Sequence, residues 1–232
     1  MTPTNNLRIA ITALEARQGG DEVVLTILTE SIREGQIQHS GSVKLTVASK
    51  MLFELGNIGA GSLPYALKPE QYDQLEYSAE LWQAVKKGLD LLSYIDNTRA
   101  SLITKLRERQ FNKDIASDAA DYIADMGYID ERRILARAVE QLAGKLYGRS
   151  RIRQELAKKG ISREILREEL PELLDAIDFG VSLRRLLTRK CDFSRLDDAK
   201  YRESLYATMY RLGYTPSETR AVIKELQEEY DE

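Results

Sequence analysis

Apolar residues follow two regimes along this chain. In the first third they alternate with polar ones: Leu7-Arg8-Ile9-Ala10-Ile11, more loosely residues 23–28, then Ile37-Gln38-His39 and Val43-Lys44-Leu45-Thr46-Val47. A period of two marks half-buried strand. Gln18-Gly19-Gly20-Asp21 and His39-Ser40-Gly41-Ser42 carry turn-forming residues. The segments predict two to four short strands in a small antiparallel sheet. A helix-like stretch over 48–55 and a Gly/Pro loop follow. From Lys68 the period lengthens: Pro69 suits a first helical turn, and Leu75, Leu81, Val85, Leu89 and Leu92 form one helical stripe.

The strongest pattern lies beyond residue 86, where residues 102–112, 152–162 and 205–215 align without gaps. Their first and fifth places are apolar: Leu102 and Leu106, Ile152 and Leu156, Leu205 and Met209. That spacing is one helical turn. Gln110, Gly160 and Gly213 stand where a helix ends in the left-handed conformation. Each is followed by an apolar residue (Phe111, Ile161, Tyr214) and then a capping type (Asn112, Ser162, Thr215). Thr215-Pro216-Ser217-Glu218 is a capping box with proline at the first helical position. Eight and eleven places beyond each cap lie Ala120 and Ile123, Leu170 and Leu173, Ile223 and Leu226. Another stripe precedes each copy: Leu89/Leu92/Ile95, Ile134/Leu135/Ala138/Leu142 and Phe179/Leu183/Leu186/Leu187.

The expected fold is therefore mainly α. Three tandem three-helix repeats form an elongated curved array, preceded by a small N-terminal antiparallel β region, because units of this size bury their apolar faces only against neighbours. The expected boundaries are 1–67 for the β region, 68–85 for a helical connector, and 86–130, 131–175 and 176–232 for the repeats, the last ending in an acidic tail.

Composition narrows the chemistry. The 232 residues carry 34 Lys and Arg against 37 Asp and Glu, with one His and one Cys. A lone Cys191 leaves no internal disulfide and no multi-cysteine metal site, and a lone His39 leaves no paired-histidine metal motif. Scattered carboxylates are the only remaining catalytic material, so the reading is a non-enzyme without metal or cofactor. Gly56-Asn57-Ile58-Gly59-Ala60-Gly61 is spaced GxxGxG with no Lys-Ser/Thr after it, which makes it a connector rather than a phosphate loop. No secretory signal is visible at the N-terminus and no apolar run approaches the ~20 residues of a membrane span. A cytoplasmic monomer is expected.

Charge is unevenly spread. Residues 145–167 hold eight basic side chains against only Glu155 and Glu164. The candidate binding residues are Arg149, Arg151, Arg153, Lys158, Lys159 and Arg163, with Arg184, Arg185, Arg189 and Lys190 as a second set. Arg151 and Glu155 can pair on one helix. Tyr206, Tyr210 and Tyr214 suit either core packing or base stacking, and Trp82 suits packing between the N-terminal part and the repeats. Residues 225–232 carry five acids that could compete for the basic face.

Several of these segments resemble the RecX family, regulators of the RecA recombinase. Met126-Gly127-Tyr128-Ile129-Asp130-Glu131 resembles the family's junction between its first two repeats. Residues 148–162, Gly-Arg-Ser-Arg-Ile-Arg-Gln-Glu-Leu-Ala-Lys-Lys-Gly-Ile-Ser, resemble its basic segment, and Leu92-Ser93-Tyr94 its opening. The resemblance spans about residues 80–227. It departs where family members commonly carry arginines and this chain has Ile95, Asp96 and Asn97, which shifts any polyanion contact toward the second repeat. The resemblance implies a partner, the RecA filament on single-stranded DNA. It also implies restraint of strand exchange, ATP turnover and coprotease activity in DNA repair and the SOS response. The residues alone leave open a second reading, a tandem helix–turn–helix-like module binding DNA weakly and directly without RecA.

Overall fold

The computed structural model describes residues 6–17, 19–33 and 36–230. The expected turn residue Gln18, the N-terminal Met1 to Asn5 and the tail residues Asp231 and Glu232 lie outside them. Four strands and ten α-helices are seen among the described residues, so the chain is mainly helical with one small sheet.

Strands β1 (Asn6–Ala16), β2 (Glu22–Arg33) and β3 (Gln36–Ala48) form an antiparallel meander, and the short β4 (Tyr65–Leu67) pairs with β1, giving the order β3-β2-β1-β4. Period-two burial appears where the sheet has something to cover: Ile9, Ile11, Val23, Leu25, Ile27 and Val47 all point into one core. Two details differ from the sequence expectation. His39-Ser40-Gly41-Ser42 is no turn; it lies inside β3, in register with Ser31, Glu30, Thr29 and Leu28. This half of the ribbon is exposed, so no core selects apolar residues there, and its polar content mimics a loop. The Gly/Pro segment also hides β4, which is too short to show a period.

Helix α1 (Lys50–Glu54) leads through the glycine-rich connector, which contains one 3-10 turn, to α2 (Pro69–Tyr94). Leu75 and Ala79 of α2 complete the sheet's core. Then come α3 (Arg99–Arg107), α4 (Lys113–Asp125), α5 (Glu131–Gly144), α6 (Arg149–Ala157), α7 (Arg163–Asp175), α8 (Phe179–Lys190), α9 (Ala199–Arg211) and α10 (Pro216–Tyr230). The chain divides into two compact units. One comprises Met1–Tyr94 with Leu102–Met126, the other Ile95–Ser101 with Gly127–Glu232.

The three aligned segments fold alike. Leu102, Leu106, Ile152, Leu156, Leu205 and Met209 are all buried. Gln110, Gly160 and Gly213 take φ of 72°, 69° and 98°. In the first and third copies the turn closes the same way. Phe111 N donates to Leu106 O and Gln110 N to Arg107 O, while Tyr214 N donates to Met209 O and Gly213 N to Tyr210 O. The caps also agree: Asn112 accepts from Ile115 N, Ser162 from Ile165 N, and Thr215 exchanges hydrogen bonds with Glu218. In the second unit, Leu135, Val139, Ile152, Leu156 and Leu174 build one cluster and Leu183, Leu187, Met209, Tyr214 and Ile223 another.

Candidate interaction surface

Within the second unit, one joint is made twice. The turn between α6 and α7 seats on the start of α3, where Thr98 Oγ1 donates to Lys159 O at 3.0 Å. The turn between α9 and α10 seats on the start of α6, where Gly148 N donates to Leu212 O at 2.8 Å. Thr98 and Gly148 stand just before their helices, and Lys159 and Leu212 just before their turn glycines, so the donors and acceptors occupy equivalent places. The approach is close enough to dictate residue type. A Cβ on Gly160 would stand 2.9 Å from Ala100 Cβ, and one on Gly213 would stand 2.5 Å from Arg151 N and 2.6 Å from Arg151 Cβ. Gln110 has the same backbone conformation, yet its side chain is exposed beside an open groove lined by Thr104, Arg107 and Phe111. Among these three turns, glycine therefore stands where the start of another helix presses on the turn.

The first joint carries a further tie that sequence reading missed. Glu131, the first residue of α5, accepts from Arg99 N through Oε1 (3.1 Å) and from Ser162 N through Oε2 (2.8 Å). One carboxylate thus serves two helix N-termini, whose free amides and dipoles favour an anion. Its neighbour Asp130 caps α5 by accepting from Arg133 N at 2.9 Å. The partners of Glu131 are 32 and 31 residues away, and no local pattern announces them. The Met126-Gly127-Tyr128-Ile129-Asp130-Glu131 junction is thus a cap and a bridge built side by side.

The structure sorts the candidate cations into two sets. Arg149 pairs with Asp175 at 2.8 Å and lies over the Phe179 ring at 4.9 Å. Arg151 and Lys158 share Glu155, at 2.8 and 2.9 Å, as the i,i+4 spacing predicts for the arginine. These neighbours hold the Glu155 carboxyl below its usual range, the Lys158 hydrogen bond contributing most. Arg184 pairs with Glu229 near the acidic end of α10. By contrast Arg153, Lys159, Arg163, Arg185, Arg189 and Lys190 are exposed and make no ion pair with another described residue. On α8, Leu183, Leu186 and Leu187 are buried, which turns Arg185 and Arg189 outward one helical turn apart.

The remaining singled-out residues resolve by burial. Tyr214 is core, its hydroxyl donating to Leu146 O at 3.0 Å, and burial pushes its phenol up to about 12. Tyr206 is half-buried and Tyr210 exposed, both along a groove with Ala199, Ala207 and Pro216. Trp82 donates to Glu22 Oε2 at 2.9 Å and meets Tyr122 edge-on, so it packs inside the first unit. Burial also pushes the Cys191 thiol up, away from reactivity. Among the described residues, no group of three or more His, Cys, Asp or Glu is placed to hold a metal ion, and no helix is long and apolar enough to cross a membrane.

Comparison with known proteins bears on this geometry. Residues 130–170, from the cap of α5 through most of α7, match the family model described as RecX, second three-helix domain. The regulatory protein RecX of Ectopseudomonas mendocina (strain ymp) is 30% identical over 130 residues, an alignment covering 56% of this chain and 85% of that relative. The chain belongs to the RecX family. The RecX of Chlorobium phaeobacteroides (strain BS1) is 27% identical over 146 residues, covering 61% of this chain and 94% of the other. A crystal structure of a regulatory protein RecX superposes with a TM-score of 0.62 at 18% identity, covering 92% of this chain and 98% of that one. A second, of RecX from Lactobacillus salivarius, gives 0.51 at 22% identity over 64% of this chain. At those identities the structures bear on the fold, and they agree on a mainly helical chain. RecX proteins are a regulatory family, and the jointed helical repeats of this member belong to that setting.

Proposed function

We propose that this RecX-family protein binds the RecA filament on single-stranded DNA and restrains its ATP turnover, strand exchange and coprotease activity, acting as a cytoplasmic monomer without catalysis of its own. Membership of a family of regulatory proteins carries the reading. The repeats, taken as 86–130, 131–175 and 176–232, hold the interaction surface, and the joints at Gly160 and Gly213 keep its elements in fixed register. Arg153, Lys159, Arg163, Arg185, Arg189 and Lys190 make the productive contacts, because each keeps a charge that no described carboxylate neutralises. Arg149, Arg151, Lys158 and Arg184 serve first to hold the fold and its surface together, since their partners are intramolecular. Co-sedimentation with RecA assembled on single-stranded DNA tests the proposal. Association at micromolar protein is expected, and its absence at that concentration refutes it.

A further inference from the structure

Arg133 and Arg137 lie one turn apart on α5, and both guanidinium groups converge on a single carboxylate. Arg133 Nη2 reaches Asp96 Oδ1 at 3.1 Å and Arg137 Nη1 reaches Asp96 Oδ2 at 2.7 Å. Two positive charges share one negative one, and neither arginine pairs with another carboxylate among the described residues. The neighbouring acids are engaged elsewhere, Asp130 as the cap of α5 and Glu131 across the joint. Asp96 comes from the segment between α2 and α3, whose position is fixed by Thr98 on Lys159 O and by Glu131 on Arg99 N. The arginine pair is therefore preorganised around an oxyanion, and a planar guanidinium fork suits a phosphate as well as a carboxylate. Its surroundings are cationic too: the joint brings the end of α6, with exposed Lys159, onto the same segment.

We infer that Arg133 and Arg137 form a binding site for backbone phosphates of single-stranded nucleic acid, which Asp96 occupies in the free chain as an intramolecular competitor. A phosphodiester entering the site displaces the Asp96 carboxylate and takes over its hydrogen bonds; no covalent bond is made or broken. The inference concerns naked nucleic acid and stands apart from the recombinase reading. The test is fluorescence anisotropy of a labelled oligothymidylate across a salt series, with Asp96→Asn, Asp96→Ala and wild-type protein. Exposed ion pairs contribute little to stability, so both variants are expected to keep the wild-type circular dichroism spectrum, and two variants guard against one misfolding. Removing the competitor should tighten binding and steepen the slope of log K against log salt by about 0.7, the one phosphate the opened site takes up. Adding Arg133→Gln and Arg137→Gln to Asp96→Asn should abolish the gain. The inference is overturned if neither variant changes the slope, if the gain survives loss of the two arginines, or if polyglutamate gains as much as the oligonucleotide.

Discussion

Gly213→Ala puts the repeat joint under direct strain. The added methyl carbon would lie 2.5 Å from Arg151 N, 2.6 Å from Arg151 Cβ and 2.8 Å from Gly148 O, all on or next to backbone and none the end of a flexible side chain. The residue also holds φ of 98°, where an L side chain costs about 1–2 kcal/mol. Relief requires α9 and its turn to withdraw from α6. Withdrawal weakens the Gly148 N to Leu212 O and Tyr214 hydroxyl to Leu146 O hydrogen bonds, worth about 0.5–1.5 kcal/mol each. Overpacking of this kind adds about 1–3 kcal/mol. The effects overlap, and a loss of about 3–5 kcal/mol is expected in urea denaturation followed by circular dichroism, with faster amide exchange at Gly148. Gln110→Gly is the matched control: φ is 72°, the turn is exposed, and relief of the left-handed strain offsets the entropy of glycine. Its stability should stay within about 1 kcal/mol of wild type. A Gly213→Ala protein as stable as wild type, or two variants equally destabilised, would refute the idea that glycine marks the turns pressed by a neighbouring repeat.

Glu131→Gln keeps the shape of the bridge but removes its charge; a loss of about 1–3 kcal/mol is expected, with faster exchange at the Arg99 and Ser162 amides, and unchanged protection there would show that the bridge contributes nothing. Among the cations, Lys159→Ala and Arg163→Ala should weaken co-sedimentation with RecA filaments more than Arg151→Ala, whose side chain is already held by Glu155; equal losses would contradict the sorting by intramolecular partners. Glu22 gives a pH prediction. Its carboxyl is held below its usual range by the Lys86 hydrogen bond first and the Trp82 indole second. Because the folded value lies below the unfolded one, its stabilisation is complete above the unfolded carboxylate range near pH 4.3 and is lost as pH falls through the lower folded value. Acid titration should therefore show Trp82 fluorescence changing below the usual carboxylate range in wild type, and Glu22→Gln should remove that step.

What could be read from the sequence was local. A capping residue, a left-handed turn and two apolar places one turn apart all fall within eleven residues. The roles of Leu102, Gly160 and Thr215 are therefore legible in their local sequence. Tertiary pairings gave no such signal. Within the charge excess of residues 145–167, the partner of Arg149 is Asp175, which lies outside that window. Glu131 and Thr98 act on residues 31 to 61 places away. At His39 to Ser42 the local signal pointed the wrong way, since a solvated ribbon and a turn select the same polar residues.

The measurement that bears most directly on the account is a titration of this protein into RecA hydrolysing ATP on single-stranded DNA, run beside the Arg153→Ala/Lys159→Ala/Arg163→Ala variant. Inhibition by the wild-type chain at micromolar concentration, much weakened in the folded triple variant, is the predicted result. Unchanged ATP turnover with the wild-type chain would contradict the account.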